Sequence, residues 1–175
     1  MIPVGPGVVA TRVSFLLVLA LTIQVGLAPE IPVLGVQGDL MLLIAIGGGL
    51  AAGPDRGAAV GFASGLAYDL FVQTPFGLSA LTYALVAFLV GSLQDSVLRA
   101  AWWIPVATAG AGSVVGVILY FVFGTVVGVD FAGTSLPMVA LVVGSLNAIA
   151  APLLIRAVRW ATGTQDSVRA RSVYR

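Results

Sequence analysis

The chain contains no lysine, no histidine and no cysteine, and only 9% of its 175 residues are charged. Without thiols there are no disulfides and no thiolate metal sites. Without imidazole the commonest general base and metal ligand is gone. A soluble chain of this length would carry about 25% charged residues. The net charge is +1, and no basic surface interleaved with aromatics is there to hold nucleic acid. Also missing are a Gly-x-Ser-x-Gly elbow, a phosphate-binding Walker loop, a His-Glu-x-x-His pair and a dinucleotide fingerprint. The sequence therefore offers no catalytic constellation, no cofactor site and no metal site.

What fills the chain is apolar. Hydrophobic residues make up 59% of the sequence, and the mean hydropathy is +1.10. Six apolar segments run approximately over 11–28, 39–53, 57–74, 76–94, 102–129 and 135–158. Each is long enough, or nearly so, to cross a bilayer. The second is short, and the triplet Gly47, Gly48 and Gly49 weakens it further as a helix. The fifth is long, so it tilts or ends before Gly124. Short connectors predict helical hairpins: Gly53 to Gly57, Thr74 to Gly77, and Gln94 to Ala101. Only helices or closed barrels satisfy their backbones in lipid, and the alternation of a barrel is missing. The expected fold is an all-α bundle of six transmembrane helices over residues 1–160, followed by a basic cytoplasmic tail over 161–175.

The arginines set an orientation. Arg12 precedes the first segment, Arg56 lies between the second and third, and Arg99 between the fourth and fifth. Arg156, Arg159, Arg169, Arg171 and Arg175 end the sixth or follow it. With six spans all of them fall on one side, while the opposite loops hold Glu30 and Asp130. Five spans would divide them. The positive-inside rule then places both termini in the cytoplasm. Trp160 suits an interfacial anchor, and each arginine near anionic lipid adds about 1 kcal/mol of attraction. Gly26 to Ala28 has the small-x-small look of a signal-peptide cleavage site, but the apolar run before it exceeds a typical 7–15-residue h-region. The first segment is expected to be retained as a span.

Against this background Asp69 stands out. Gly61, Gly65 and Asp69 are spaced i, i+4, i+8, so on a helix the carboxylate shares a face with the glycines. Glycine faces are where membrane helices approach closely, which points Asp69 into the bundle. An ionisable group there costs about 2.5–3.5 kcal/mol on insertion scales and reads as functional by default. The plainer alternative is an aspartate that caps or staples two helices. The segment limits put Asp69 roughly 8 Å from the outer end of its helix. No arginine lies in the outer half, so the acid is expected to be protonated, bonded to a neutral Tyr or Gln side chain, or paired with a partner protein. Gln24, Asp39, Gln73 and Thr74 also fall in the outer half, with Asp39 reading most simply as a helix N-cap. Asn147 lies deeper and is expected to hydrogen-bond between helices. Tyr68, Tyr83 and Tyr120 are candidate donors to a carboxylate. Gly110 to Gly116, and the i, i+4 pairs Gly49/Gly53, Gly112/Gly116 and Gly124/Gly128, read as packing surfaces.

The run Asp39-Leu40-Met41-Leu42-Leu43, the motif Gly65-Leu66-x-x-Asp69-Leu70, and the stretch Pro75-Phe76-Gly77-Leu78-Ser79-Ala80-Leu81 together resemble the MreD family of rod-shape-determining membrane proteins. Length, span number and hydropathy agree over most of the chain, while the motif itself covers 39–81. One position departs, since Gly38 stands where the family often has a proline. The resemblance implies a non-enzymatic protein of the bacterial inner membrane, working in the elongation (rod) complex of peptidoglycan synthesis. It implies as partners the bitopic protein MreC, the RodA polymerase with its penicillin-binding transpeptidase and, indirectly, MreB filaments. It also implies a fold similar to the substrate-binding subunits of energy-coupling-factor vitamin transporters.

Two other classes stay open. One is a genuine vitamin-binding subunit of such a transporter. Those subunits share an Ala-x-x-x-Ala contact in the first helix, and here Ala20 is followed by Gln24; their pockets also want more polar groups. The other is a translocase of lipid-linked substrates with Asp69 in its pathway, which a single buried acid supports weakly.

Overall fold

A computed structural model of the protein describes residues 6–72, 75–94 and 103–163. The described residues form six α-helices and no strand: α1 (Pro6–Gly26), α2 (Leu40–Ala52), α3 (Pro54–Asp69), α4 (Leu78–Ser92), α5 (Ile104–Val126) and α6 (Leu136–Thr162). Three of them, at the two ends of the chain order, are long and apolar enough to cross a membrane: α1, α5 and α6. The middle three have 13, 16 and 15 residues. The helix limits differ from the sequence expectation at several ends. α5 runs through Gly124 to Val126, and α6 continues to Thr162 past Pro152. The tail beyond Gly163, with Gln73, Thr74 and Arg99, lies outside the described residues.

α2 is the axis of the bundle. It touches all five other helices, and every residue from Met41 to Ala51 is buried. A helix that is apolar all round belongs in such a place. The glycine triplet, a weakness on propensity grounds, follows from this position. Successive helical residues point about 100° apart, so three glycines in a row clear space for three neighbours. A Cβ on Gly47 would stand 3.1 Å from Val158 of α6, and one on Gly48 would stand 2.9 Å from Val60 of α3. On Gly49 it would collide with the Ala87 carbonyl of α4. Tertiary packing overrides the propensity cost.

α2 and α3 are joined by the single residue Gly53, at φ 86°, with Pro54 opening α3. Gly91 of α4 packs on this corner, where a Cβ would come 2.7 Å from Pro54. The order alternates up and down. Gly61 faces Tyr83 and Gly65 faces Ser79, so α3 and α4 are antiparallel. Arg12, at the start of α1, donates a 3.4 Å hydrogen bond to the Trp160 carbonyl near the end of α6. Its guanidinium also lies 4.8 Å from the Trp160 ring centre. The beginning of α1 and the end of α6 therefore share one end of the bundle.

Candidate functional site

The end opposite Arg12 holds two carboxylate knots, one built on Asp69 and one on Asp39. Asp69 is 4% exposed, yet it is the last residue of α3. The helix stops at the acid instead of continuing beyond it, which corrects the expected depth. Its partners are not tyrosine or glutamine side chains. Oδ2 accepts from the backbone N–H groups of Gly77 and Ala80 at 2.9 and 3.2 Å, and Oδ1 from Ser79 at 3.2 Å. Gly77 is the N-cap position of α4 and has no side chain to cap with. Asp69 supplies the missing cap from another helix, reaching the second and third helical amides as a local cap would. Leu78 N–H is taken by the Pro75 carbonyl at 3.1 Å and Leu81 N–H by Gly77 at 2.9 Å. The first turn of α4 thus has its orphan donors satisfied. The negative charge also sits at the positive end of the α4 dipole. This is the capping alternative, realised in geometry.

The glycine face makes this reach possible. A Cβ on Gly61 would stand 2.5 Å from the Tyr83 carbonyl oxygen, and one on Gly65 would stand 2.5 Å from Ala80 Cα. Gly57, missed in the sequence reading, belongs to the same ladder, with its Cβ position 2.5 Å from Gly49 Cα. Each i, i+4 step rotates about 40° round the helix. The ladder therefore begins against α2 at Gly57, turns onto α4 at Gly61 and Gly65, and delivers Asp69 at the α4 terminus. Extending the four-residue spacing one turn upstream would have found Gly57. Gly77 takes φ 95°, the left-handed region that glycine tolerates.

Asp39 caps its own helix. Its Oδ1 accepts from Leu42 N–H at 2.9 Å, while Oδ2 accepts from the Tyr83 hydroxyl at 2.5 Å. Gln24 of α1 brackets the same terminus, donating to the Gly38 carbonyl at 2.9 Å and accepting from Leu40 N–H at 2.8 Å. Asn147 of α6 accepts from Asp39 N–H at 3.1 Å, and its amide nitrogen donates to the Asp39 carbonyl at 2.9 Å and to Ser113 Oγ at 2.8 Å. Gln24, Asp39 and Asn147 thus meet at one level. Ser113, the link to α5, carried no signal in the sequence beyond its place among glycines.

This level lies well inside the bundle. Gly38 packs on Leu146, ten residues into α6, or roughly 15 Å from its beginning. Gly116, opposite Leu42, is a similar distance from the end of α5. The short axial helix therefore leaves the core unfilled above it. A pocket of about 220 Å³ occupies that space, with Gln24, Asp39, Tyr68, Tyr83 and Tyr120 among its lining and valines and Leu42 as apolar wall. Asp69 does not line it. Tyr68 and Tyr83 stack with ring centres 6.4 Å apart. Among the described residues no group of three or more acidic side chains is placed to hold a metal ion. No family model, no curated protein and no solved structure matches the chain.

Proposed function

We propose that the protein is a non-enzymatic integral membrane scaffold of the bacterial cell-wall elongation complex, of the kind the MreD resemblance implies. The observation that carries the reading is where the resembling residues lie. Gly65, Asp69, Pro75 and Gly77 build one knot between α3 and α4, and Asp39 builds a second at the head of α2. Both use their carboxylates to hold helix termini, a structural task. The loops at this end expose Leu27, Ile31, Leu34, Leu70, Phe71 and Phe76, a surface suited to apolar side chains of a neighbour.

In this reading all six helices cross the bacterial inner membrane, with α2 shielded from lipid by the others. The outward faces are apolar, with Phe15, Val18, Leu85, Phe88, Ile149 and Leu153 exposed. Arg12, Arg56, Arg156 and Arg159 gather at the end assigned to the cytoplasm. A bitopic MreC-like protein and the RodA polymerase with its transpeptidase are the partners to seek. The test is purification of the tagged protein from native membranes, with co-purifying chains identified by mass spectrometry. Recovery of MreC-like and polymerase subunits supports the scaffold.

One observation favours a second reading, a small-molecule-binding transporter subunit: Gln24, Asp39 and three tyrosines converge on one pocket above α2. A stoichiometric ATPase module in the same purification would establish that reading and overturn the scaffold.

A further inference from the structure

We propose that the pocket above α2 binds a compact organic cation, an amine or alkylammonium group, between the Asp39 carboxylate and the faces of Tyr68, Tyr83 and Tyr120. This goes beyond the scaffold reading and does not depend on which partners the protein assembles with.

The charge of the site selects the sign of its ligand. Asp39 is the one charged side chain among the described residues that line the pocket, and no arginine reaches it. Asp39 is half-buried, as is Leu40 beside it, and it belongs to the lining of the pocket. Its carboxylate accepts from Leu42 N–H, from the Tyr83 hydroxyl and from Met41 N–H. A carboxylate oxygen has two acceptor sites, so these bonds leave one site of the carboxylate for a donor from the pocket. In an apolar surround an unpaired charge is costly, and an incoming cation offsets that cost.

The walls select its shape. Three tyrosines line one small space, and two of them, Tyr68 and Tyr83, stack on each other with ring centres 6.4 Å apart. Aromatic faces attract cations within about 6 Å of the ring centre, and clusters of them are suited to ammonium groups. The volume of about 220 Å³ is below the roughly 300–1,000 Å³ that encloses drug-sized ligands. The occupant is therefore small, an amine with a short apolar stem. Two sources supply such a group: a soluble amine, or the headgroup of an amine-bearing lipid such as phosphatidylethanolamine.

The experiment measures thermal unfolding of the purified full-length protein. Choline and ethanolamine chlorides are titrated in detergent against sodium chloride at equal ionic strength. In parallel, nanodiscs of phosphatidylethanolamine are compared with nanodiscs of phosphatidylglycerol. Asp39→Asn keeps a good capping side chain and an acceptor for Leu42, so it should fold, and it should weaken amine binding about tenfold or more, the loss of one modest ion pair. Tyr68→Leu, which leaves Asp39 untouched, should weaken it as well and serves if Asp39→Asn does not fold. An Asp39-dependent response to the soluble amines supports the proposal with a soluble source. The same dependence seen only in phosphatidylethanolamine discs supports it with a lipid source. No saturable response to either, or one of equal size in both variants, overturns it.

Discussion

Asn147 pairs with the backbone of Asp39 through both halves of its amide, accepting the N–H and donating to the C=O of one residue 108 positions away. The pairing fixes the depth at which α2 begins, because the N–H groups at a helix N-terminus have no intrahelical partner. It also ties that terminus to α5 through Ser113. Asn147→Leu fills a similar volume but leaves the Asp39 N–H without a partner, and it takes from the Asp39 C=O one of its two bonds, the other coming from Leu43 N–H at 3.0 Å. A buried group left unpartnered costs about 1–3 kcal/mol. The variant should melt well below wild type in detergent, and an unchanged melting temperature would show that water replaces the amide.

Asp69 sits in a site made only of donors. Gly77, Ser79 and Ala80 all present N–H groups. Asp69→Asn turns one of the two oxygens into an NH2 facing another donor. Charge-assisted bonds of this type are roughly twice as strong as neutral ones. The Asn variant should lose about 1–3 kcal/mol, nearly as much as Asp69→Ala. Ser79→Ala is the matched control, because the Ser79 hydroxyl is buried with no hydrogen-bond partner. Its removal should be neutral or stabilising. Wild-type stability in Asp69→Asn would mean the carboxyl is protonated and the cap differently arranged.

The sequence carried the helices and the faces that pack but not the ends of the polar side chains' reach. Gly61, Gly65 and Asp69 were legible as one face because the four-residue period is local. Capping was one of the two readings open for Asp69, but that the acid ends its own helix and serves the next one was not legible, since the amides it serves belong to the turn after it. The Gly47–Gly49 triplet misled for a related reason: its helix propensity is poor, and only the presence of neighbours on three sides makes it favourable. Gln24, Asp39 and Asn147 were each marked as polar in an apolar setting. Their meeting around one helix terminus depends on how far α2 falls short of α5 and α6, a tertiary quantity.

The glycines should divide by what they face. Gly65 lies against the backbone of Ser79 and Ala80, which cannot move aside. Gly116 lies against the flexible end of Leu42, 2.7 Å from a Cβ position. Gly65→Ala should therefore cost about 1–3 kcal/mol or more by overpacking, and Gly65→Leu should abolish folded protein. Gly116→Ala should cost much less, because Leu42 can change rotamer. Size-exclusion profiles of the three variants give the ranking, and equal behaviour of Gly65→Ala and Gly116→Ala would mean α3 is free to shift on α4.

The proposed topology predicts where a maleimide reaches, and the chain has no native cysteine to confuse the signal. Single cysteines at Gly35 and Asp130 lie in loops at the end opposite Arg12, so they should label in intact cells. A cysteine at Ser172 should label only after permeabilisation. Labelling of Ser172 from outside would invert the arginine argument.

Leu34 is a final point of strain. Val33 and Val36 exchange two backbone hydrogen bonds of 2.9 Å, closing a tight turn. The two residues between them, Leu34 at φ 53° and Gly35 at φ 76°, both lie in the left-handed region. That is the pattern of a type I′ turn, whose preferred residues are Asn-Gly. A leucine in this conformation costs roughly 1–2 kcal/mol, and at 71% exposure it recovers little of that by burial. Leu34→Asn creates the preferred pair without touching a buried group, so the purified protein should gain about 1 kcal/mol of stability. The same variant reports on the loop's surface. If it melts higher yet fails to support rod shape in cells, the leucine is kept at that tip for contact with a neighbour. Should it melt lower, the turn is held by the Leu34 side chain and the strain argument is wrong.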